Sequence, residues 1–244
     1  IMDKYYLTDN IYIKNDEMFY SKNSKMKKVN KNNWHIILNE YGWEKIPLIW
    51  IKKLNNLSLN KIKNSRYGIF NCEGNGDCFF TCIANSFNER DRFKGEEYNS
   101  KDIRNLIADS LTLEDYDILI NYYKIMKDAD DFEEEWNPYD METIDDFKRQ
   151  IRESGHNYWG DWLLLTMITK LLKLNILIIN YSPEEKDYSI YNTCIEYNKN
   201  YDSILLMYEN KDHFQLIGYF NDNRMISYFS ELPQEIKKLF EIND

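Results

Sequence analysis

The segment Gly74-Asn75-Gly76-Asp77-Cys78-Phe79-Phe80 holds the residues best suited to covalent chemistry in this chain. A thiol that follows a glycine-rich turn and opens a helix gains several advantages. Glycines admit positive φ and let the backbone come close to a substrate carbonyl. The first helical turn offers unpaired N–H groups and the positive end of a dipole, both of which favour a thiolate. Cysteines placed this way and paired with an imidazolium ionise with pKa values of roughly 3–4 instead of about 8.5. The N–H groups of Cys78 and of its turn, Gly76 and Asp77, are also placed to receive an oxyanion. The competing reading is a buried cysteine acting as a small hydrophobe. Cys82 fits that reading, since it lies one helical turn behind Cys78 and should point inward. Cys72 falls in the preceding strand and Cys194 on a late one, so Cys78 alone stands at a glycine turn.

A thiol nucleophile needs a base, and the chain has 3 histidines. His35 lies in the N-terminal part and His156 in a loop before a Trp-Gly turn. His213 follows a polar loop and opens an apolar strand (Phe214, Leu216, Gly218, Phe220), a place from which an imidazole can face a helix N-terminus. Spacing alone leaves His213 between a base and a structural histidine.

The elements that position these residues can be traced from pattern. Residues 67–72 read as a short strand, and Cys78, Phe79, Phe80, Cys82, Ile83, Ala84 and Phe87 recur at helical spacing, which predicts a buried helix over 78–88. A helix capped by Ser100 carries Ile103, Leu106 and Ile107. Thr112 with Asp115 and Thr143 with Asp146 are capping boxes for a helix to about Met126 and another ending near Glu153. Asp161 starts an apolar helix through Leu172. Residues 175–180, 188–196, 203–208 and 213–220 are expected strands, and a last helix spans 232–242 with Pro233 in its first turn. Before Tyr67 the chain is rich in Lys and Asn, with a helix expected over 33–38. Helices first and strands last give an α+β class.

Composition narrows the function. With 244 residues, 43% hydrophobic and 16% aromatic, the chain can build one sizeable core or one domain with an appendage. The longest apolar stretch, Leu163 to Ile179, is broken by Lys170 and Lys173, so no membrane span is expected. The start lacks a basic-then-apolar secretory pattern, which predicts a cytoplasmic protein. Four cysteines without a C-x-x-C pair, and 3 histidines, suit neither a disulfide scaffold nor a structural zinc site. The net charge of −10 is concentrated in residues 128–146, which carry ten acids and no basic residue. That balance disfavours nucleic acid as a partner. Such a run is either a solvated face or a docking surface.

The glycine turn resembles the Asp-Gly-x-Cys signature of the ovarian-tumour (OTU) cysteine proteases, here Asn75-Gly76-Asp77-Cys78-Phe79-Phe80. The run Tyr158-Trp159-Gly160-Asp161-Trp162-Leu163, with the helix and strand after it, is similar to that family's Trp-Gly block. Ile204 to Tyr208, a short loop and His213-Phe214 resemble its closing strand–loop–His block. Together the three blocks cover residues 70–220 in order. The phrase around Cys78 and the closing run from His213 to Tyr219 are most similar to OTU proteins of large DNA viruses.

The resemblance implies a papain-like α+β OTU fold, with a small, mostly antiparallel sheet packed between helices. Residues 1–66 would be an N-terminal extension, 67–222 the catalytic domain and 223–244 a helical segment packed on it. The implied activity is a cysteine-type deubiquitinase, with Cys78 as nucleophile, His213 as base and no metal or organic cofactor. Its partner would be ubiquitin, polyubiquitin or a ubiquitin-like modifier, met by a monomer in the cytoplasm, which for a viral protein means the host cytosol or the virion. The family's Asp three residues before the Cys is Asn75 here, and its Asn or Asp two residues after the His is Gln215. These are the candidate orienters of the imidazole or the turn, beside Asp212. Trp159, with Phe132 and Trp136 of the acidic run, is expected to touch substrate. The alternatives are a catalytically weak ubiquitin-binding module and an OTU-fold protease with a polyprotein substrate.

Overall fold

A computed structural model describes residues 4–59, 65–132, 134–191 and 196–243. The main sheet runs in the order β5 (Trp43–Lys45), β6 (Tyr67–Phe70), β9 (His213–Asn221), β8 (Asp202–Glu209) and β7 (Leu174–Tyr181), with β10 (Arg224–Ile226) also on β9. Only β7 and β8 pair in parallel among the described strands. Alternate residues of β8 bury on opposite faces, which explains its unbroken apolar run. Ile204 and Leu206 join the core under α3 (Cys78–Asp91) and α7 (Trp162–Leu172), whereas Leu205 and Met207 join the core of α2 (Leu48–Leu57) and α8 (Gln234–Leu239). The fold is the expected α+β arrangement of a mostly antiparallel sheet between helices.

On the α3 side stand α4 (Ser100–Ser110), α5 (Leu113–Asp128) and α6 (Ile144–Arg152). The capping boxes at Thr112/Asp115 and Thr143/Asp146 form as expected, with both reciprocal bonds present. The cap of α4 is one residue earlier than expected: Asn99 accepts from the Asp102 N–H, and Ser100 is the first helical residue. The last helix is shorter than 232–242, because Pro233 is its cap and Phe240 its end. The expected strand over 188–196 is absent among its described residues; only isolated bridges join Ile179 to Ile190 and Ser182 to Asp187. Cys194 lies outside the described residues.

Residues before Tyr67 are more ordered than their composition suggests. A four-stranded meander, β1 (Tyr5–Tyr6), β2 (Ile11–Lys14), β3 (Glu17–Lys22) and β4 (Lys25–Lys28), precedes a short α1 (Trp34–Ile37). Its hairpins turn at Asn15-Asp16 and Asn23-Ser24, all four at positive φ, the requirement of a two-residue type I′ turn. The same region enters the main sheet through β5. Gly68 and Gly218 face each other across β6 and β9, and a Cβ on Gly68 would stand 2.8 Å from the Trp34 ring, one on Gly218 2.6 Å from the Trp43 ring. Trp34 is fully buried, donates to the Ser65 carbonyl at 3.2 Å and stacks on Phe220. Trp34→Ala should therefore lower the unfolding free energy of the whole chain by about 3–5 kcal/mol in urea titration, in a single transition if the N-terminal residues and the sheet unfold as one unit.

Candidate active site

The turn between β6 and α3 is built by three local interactions. Asn75 Oδ1 accepts from the Asp77 N–H at 3.1 Å, an Asx turn. Gly76 sits at φ +84°, and a Cβ there would lie 2.4 Å from the Gly155 carbonyl carbon, so no other residue fits. Asp77 occupies the N-cap of α3 without capping it. Its carboxylate turns instead to Arg104 of α4, accepting from Nε at 2.8 Å and lying 2.6 Å from Nη2, and it also accepts from the Gly155 N–H at 3.1 Å. Arg104 is wholly buried; it donates to the Ile151 and Tyr158 carbonyls at 3.0 and 2.9 Å and stacks on the Phe80 ring. The nucleophile turn, α4 and the 151–158 segment are thus one hydrogen-bonded unit.

Cys78 is the first residue of α3, as expected, with 7% exposure. Its Sγ accepts from the Phe214 N–H at 3.4 Å, which brings the start of β9 against the nucleophile. Burial pushes the Cys78 thiol up, opposed by hydrogen bonds from the N–H groups of Phe214, Phe79 and Cys78 itself. The lowered thiol expected from sequence is not the state of this structure, because desolvation outweighs the helix-end donors. Behind it, Cys82 is fully buried, as its spacing predicted, with Sγ 3.4 Å from Cys72 Sγ.

His213 opens β9 directly opposite Glu209 of β8. Its imidazole packs over Gly74, whose Cβ position would lie 3.7 Å from Nδ1, and Nδ1 is buried without a hydrogen-bond partner. Gln215 is buried on the same strand; its amide donates to Glu209 Oε2 at 2.8 Å and its Oε1 has no partner. Asn75 is exposed, and its side-chain oxygen holds the turn. Asp212 is exposed on the preceding loop. Of the other histidines, His35 packs edge-on to Trp34 and His156 lies against Trp159.

A cleft of about 390 Å³ opens beside Cys78, lined among others by Phe79, Phe132, Glu134, Trp159, Gly160 and Asp161. Trp159 stands at its rim, 37% exposed, and Phe132 is half-buried in its wall. A Cβ on Gly160 would stand 2.2 Å from the Phe79 ring. Trp136, expected to touch substrate, is instead buried among Tyr123, Phe132, Phe147 and Tyr158. The acidic run that holds it is not one solvated face: Glu134 turns inward and accepts from the Trp136 indole N–H and the Trp159 N–H. Burial, with Asp161 nearby, raises the Glu134 carboxyl to about 8, and burial raises Asp161, the N-cap of α7, to about 6. Sequence reasoning missed Arg104, Glu134 and Glu209. Arg104 alone left a trace, since it falls on the apolar stripe of its helix with Ile103, Ile107 and Ala108.

The thiol at the uncapped helix start and the histidine at the strand mouth both lie against the glycine turn, Cys78 bonded by the Phe214 N–H and His213 packed over Gly74. The profile of the OTU-like cysteine proteases matches residues 73–214, and the chain belongs to that family. Among solved structures it is similar to an ovarian tumour (OTU) domain in complex with ubiquitin, at 16% identity and TM-score 0.41, covering 71% of this chain and 81% of that one. It is also similar to the Hazara virus OTU bound to ubiquitin (12% identity, TM-score 0.38, covering 66% and 82%). A third is an OTU deubiquitinase from Wolbachia pipientis wMel (14%, 0.38, 71% and 96%). No curated protein matches the chain.

Two expected outcomes follow from the buried charges. Arg104→Met leaves the Asp77 carboxylate buried and unpaired, and should cost about 3–5 kcal/mol of stability; in the Arg104→Met, Asp77→Asn double variant the loss should be smaller than the sum of the singles, read by chemical denaturation. Glu134 binds its proton more tightly folded than unfolded, from 4.5 to about 8. Its contribution is therefore fully present below about pH 4.5 and is lost as pH rises through about 8. The melting temperature of Glu134→Gln should match the parent near about pH 4.5 and exceed it near about pH 9; a constant difference across that range would contradict the assignment.

Proposed function

We propose that this chain is a thiol-dependent deubiquitinase that hydrolyses isopeptide bonds at the C-terminus of ubiquitin or a ubiquitin-like modifier, with Cys78 as nucleophile and His213 as base. The observation that carries the reading is the bond from the Phe214 N–H to Cys78 Sγ, which brings the start of the histidine's strand to the uncapped end of α3. Membership of the OTU-like cysteine proteases supports the same assignment and the choice of substrate class.

The chemistry follows from the groups present. The Cys78 thiol is raised by burial, so the proton leaves as the sulfur attacks the glycine carbonyl carbon, and His213 takes it. Because Asp77 leaves the first turn of α3 uncapped, the N–H groups of Cys78 and Gly76 can hold the oxyanion, whereas the Asp77 N–H is taken by Asn75 Oδ1. His213 then gives the proton to the departing lysine amine, and water deprotonated by His213 frees the acyl group and restores the thiol. The cleft beside Cys78 is lined by Gly76, Phe79 and Gly160, with Phe132 in its wall and Trp159 at its rim. It suits an extended substrate tail that ends in glycines, with Trp159 and Phe132 in contact. Asn75 acts through the turn and Gln215 through the imidazole. The described cysteines are free thiols, in keeping with a reducing compartment such as the cytosol.

The raised thiol and the unpartnered His213 Nδ1 favour one other reading, a ubiquitin-binding module with little turnover. A ubiquitin carrying a C-terminal propargylamide separates the two. The proposed enzyme forms a covalent adduct, seen as a mass increase of one ubiquitin, and Cys78→Ala forms none. Binding of ubiquitin without adduct would favour the module, and an adduct on the Cys78→Ala variant would refute the assignment of the nucleophile.

A further inference from the structure

We propose that Glu209 is a positioning residue for His213, supplying the negative charge that neither Asn75 nor Gln215 carries; this rests on the role given to His213 above. β8 and β9 pair so that Glu209 lies opposite His213 and Met207 opposite Gln215. Directly opposed residues of an antiparallel pair project on one face with Cβ atoms about 4.5–5.5 Å apart. His213 and Gln215, two apart on one strand, share that face. Glu209, His213 and Gln215 therefore cluster at one corner of the sheet, beside the nucleophile turn.

The direction of the Gln215 amide follows from its partner. A carboxylate accepts and does not donate, so Glu209 fixes the amide with its NH2 group inward to Oε2, at 2.8 Å. Oε1 is then turned away from Glu209, buried and without a partner, and so is His213 Nδ1. These two orphaned atoms occupy the same face at the same end of β9. The imidazolium formed when Cys78 loses its proton carries an N–H on both nitrogens, one for the exchange with sulfur and leaving amine and one that needs an acceptor. Gln215 Oε1 is that acceptor, and Glu209 is what commits it. The neighbouring cation Lys211 pairs with Glu185 at 2.6 Å, which leaves the Glu209 charge to this corner.

Two substitutions separate charge from direction. Glu209→Gln keeps an acceptor oxygen for the Gln215 amide and loses only the charge. Glu209→Lys replaces the acceptor by a donor, so that the amide turns over and presents its NH2 group to the ring. For ubiquitin cleavage, Glu209→Gln should lower kcat about tenfold with KM unchanged, and Glu209→Lys about a hundredfold. In a Gln215→Leu background the further loss from Glu209→Lys should shrink to about twofold or less. Thermal melts establish that each variant is folded. Equal rates for the two Glu209 variants, or an undiminished Glu209→Lys effect without Gln215, would overturn the proposal. Alkylation of Cys78 by iodoacetamide at one pH, slowed more in Glu209→Lys than in Glu209→Gln, reads the same ordering without ubiquitin. A parent chain that ignores the ubiquitin probe, while its Glu209 variants keep that alkylation ordering, would sink the deubiquitinase reading and leave this one standing.

Discussion

The buried pair of Asp77 and Arg104 is the constraint on which the site depends. Taking both charges out of water costs several kcal/mol per ion unless every polar atom finds a partner. Here Arg104 bonds the Asp77 carboxylate and the carbonyls of Ile151 and Tyr158, while Asp77 also takes the Gly155 N–H. The consequence for α3 is as important as the tether. Asp at an N-cap ordinarily accepts from the first helical turn, and losing such a cap costs about 0.5–2 kcal/mol. With its carboxylate held by Arg104, Asp77 leaves those N–H groups open at the residue that bears the thiol. Local helix stability is given up at the residue that carries the thiol, and the ion pair restores rigidity to the turn.

Two opposing electrostatic effects meet at Cys78. The open helix end and the Phe214 N–H favour a thiolate, yet burial outweighs them and holds the thiol up. Across the cleft, Glu134 and Asp161 are likewise raised by burial. At about pH 7 Glu134, at about 8, keeps its proton while Asp161, at about 6, has mostly lost it, so one of these two buried carboxyls is charged beside the cleft. As the proposed base, His213 depends on its neighbours at the sheet corner for how well a positive ring is tolerated.

Much of this was legible in the sequence, for reasons that differ by element. The buried helix after Cys78 and the boxes at Thr112 and Thr143 are local patterns, and local patterns survive folding. The β1–β4 meander was missed because its lysines and aromatics give a weak alternation, although Asn15-Asp16 and Asn23-Ser24 carry turn chemistry that marks its hairpins. Trp136 was misplaced because a run of acids suggests solvent, whereas its ring completes an aromatic cluster and its neighbour Glu134 folds inward. Glu209 left no trace, since its partners are set by strand register and not by spacing.

Register is where the N-terminal residues and the nucleophile meet. A slip of one residue between β8 and β9 would send His213 and Gln215 to the opposite face of the sheet. What holds β9 in place on its other side is β6, through the facing glycines Gly68 and Gly218. Those glycines are narrow because Trp34 and Trp43 fill the space that a Cβ would take. Two tryptophans from the segment before Tyr67 thus set where β6 and β9 can align. β6 runs directly into the turn that carries Cys78, and β9 begins with His213, so the alignment of those two strands is also the alignment of thiol and imidazole.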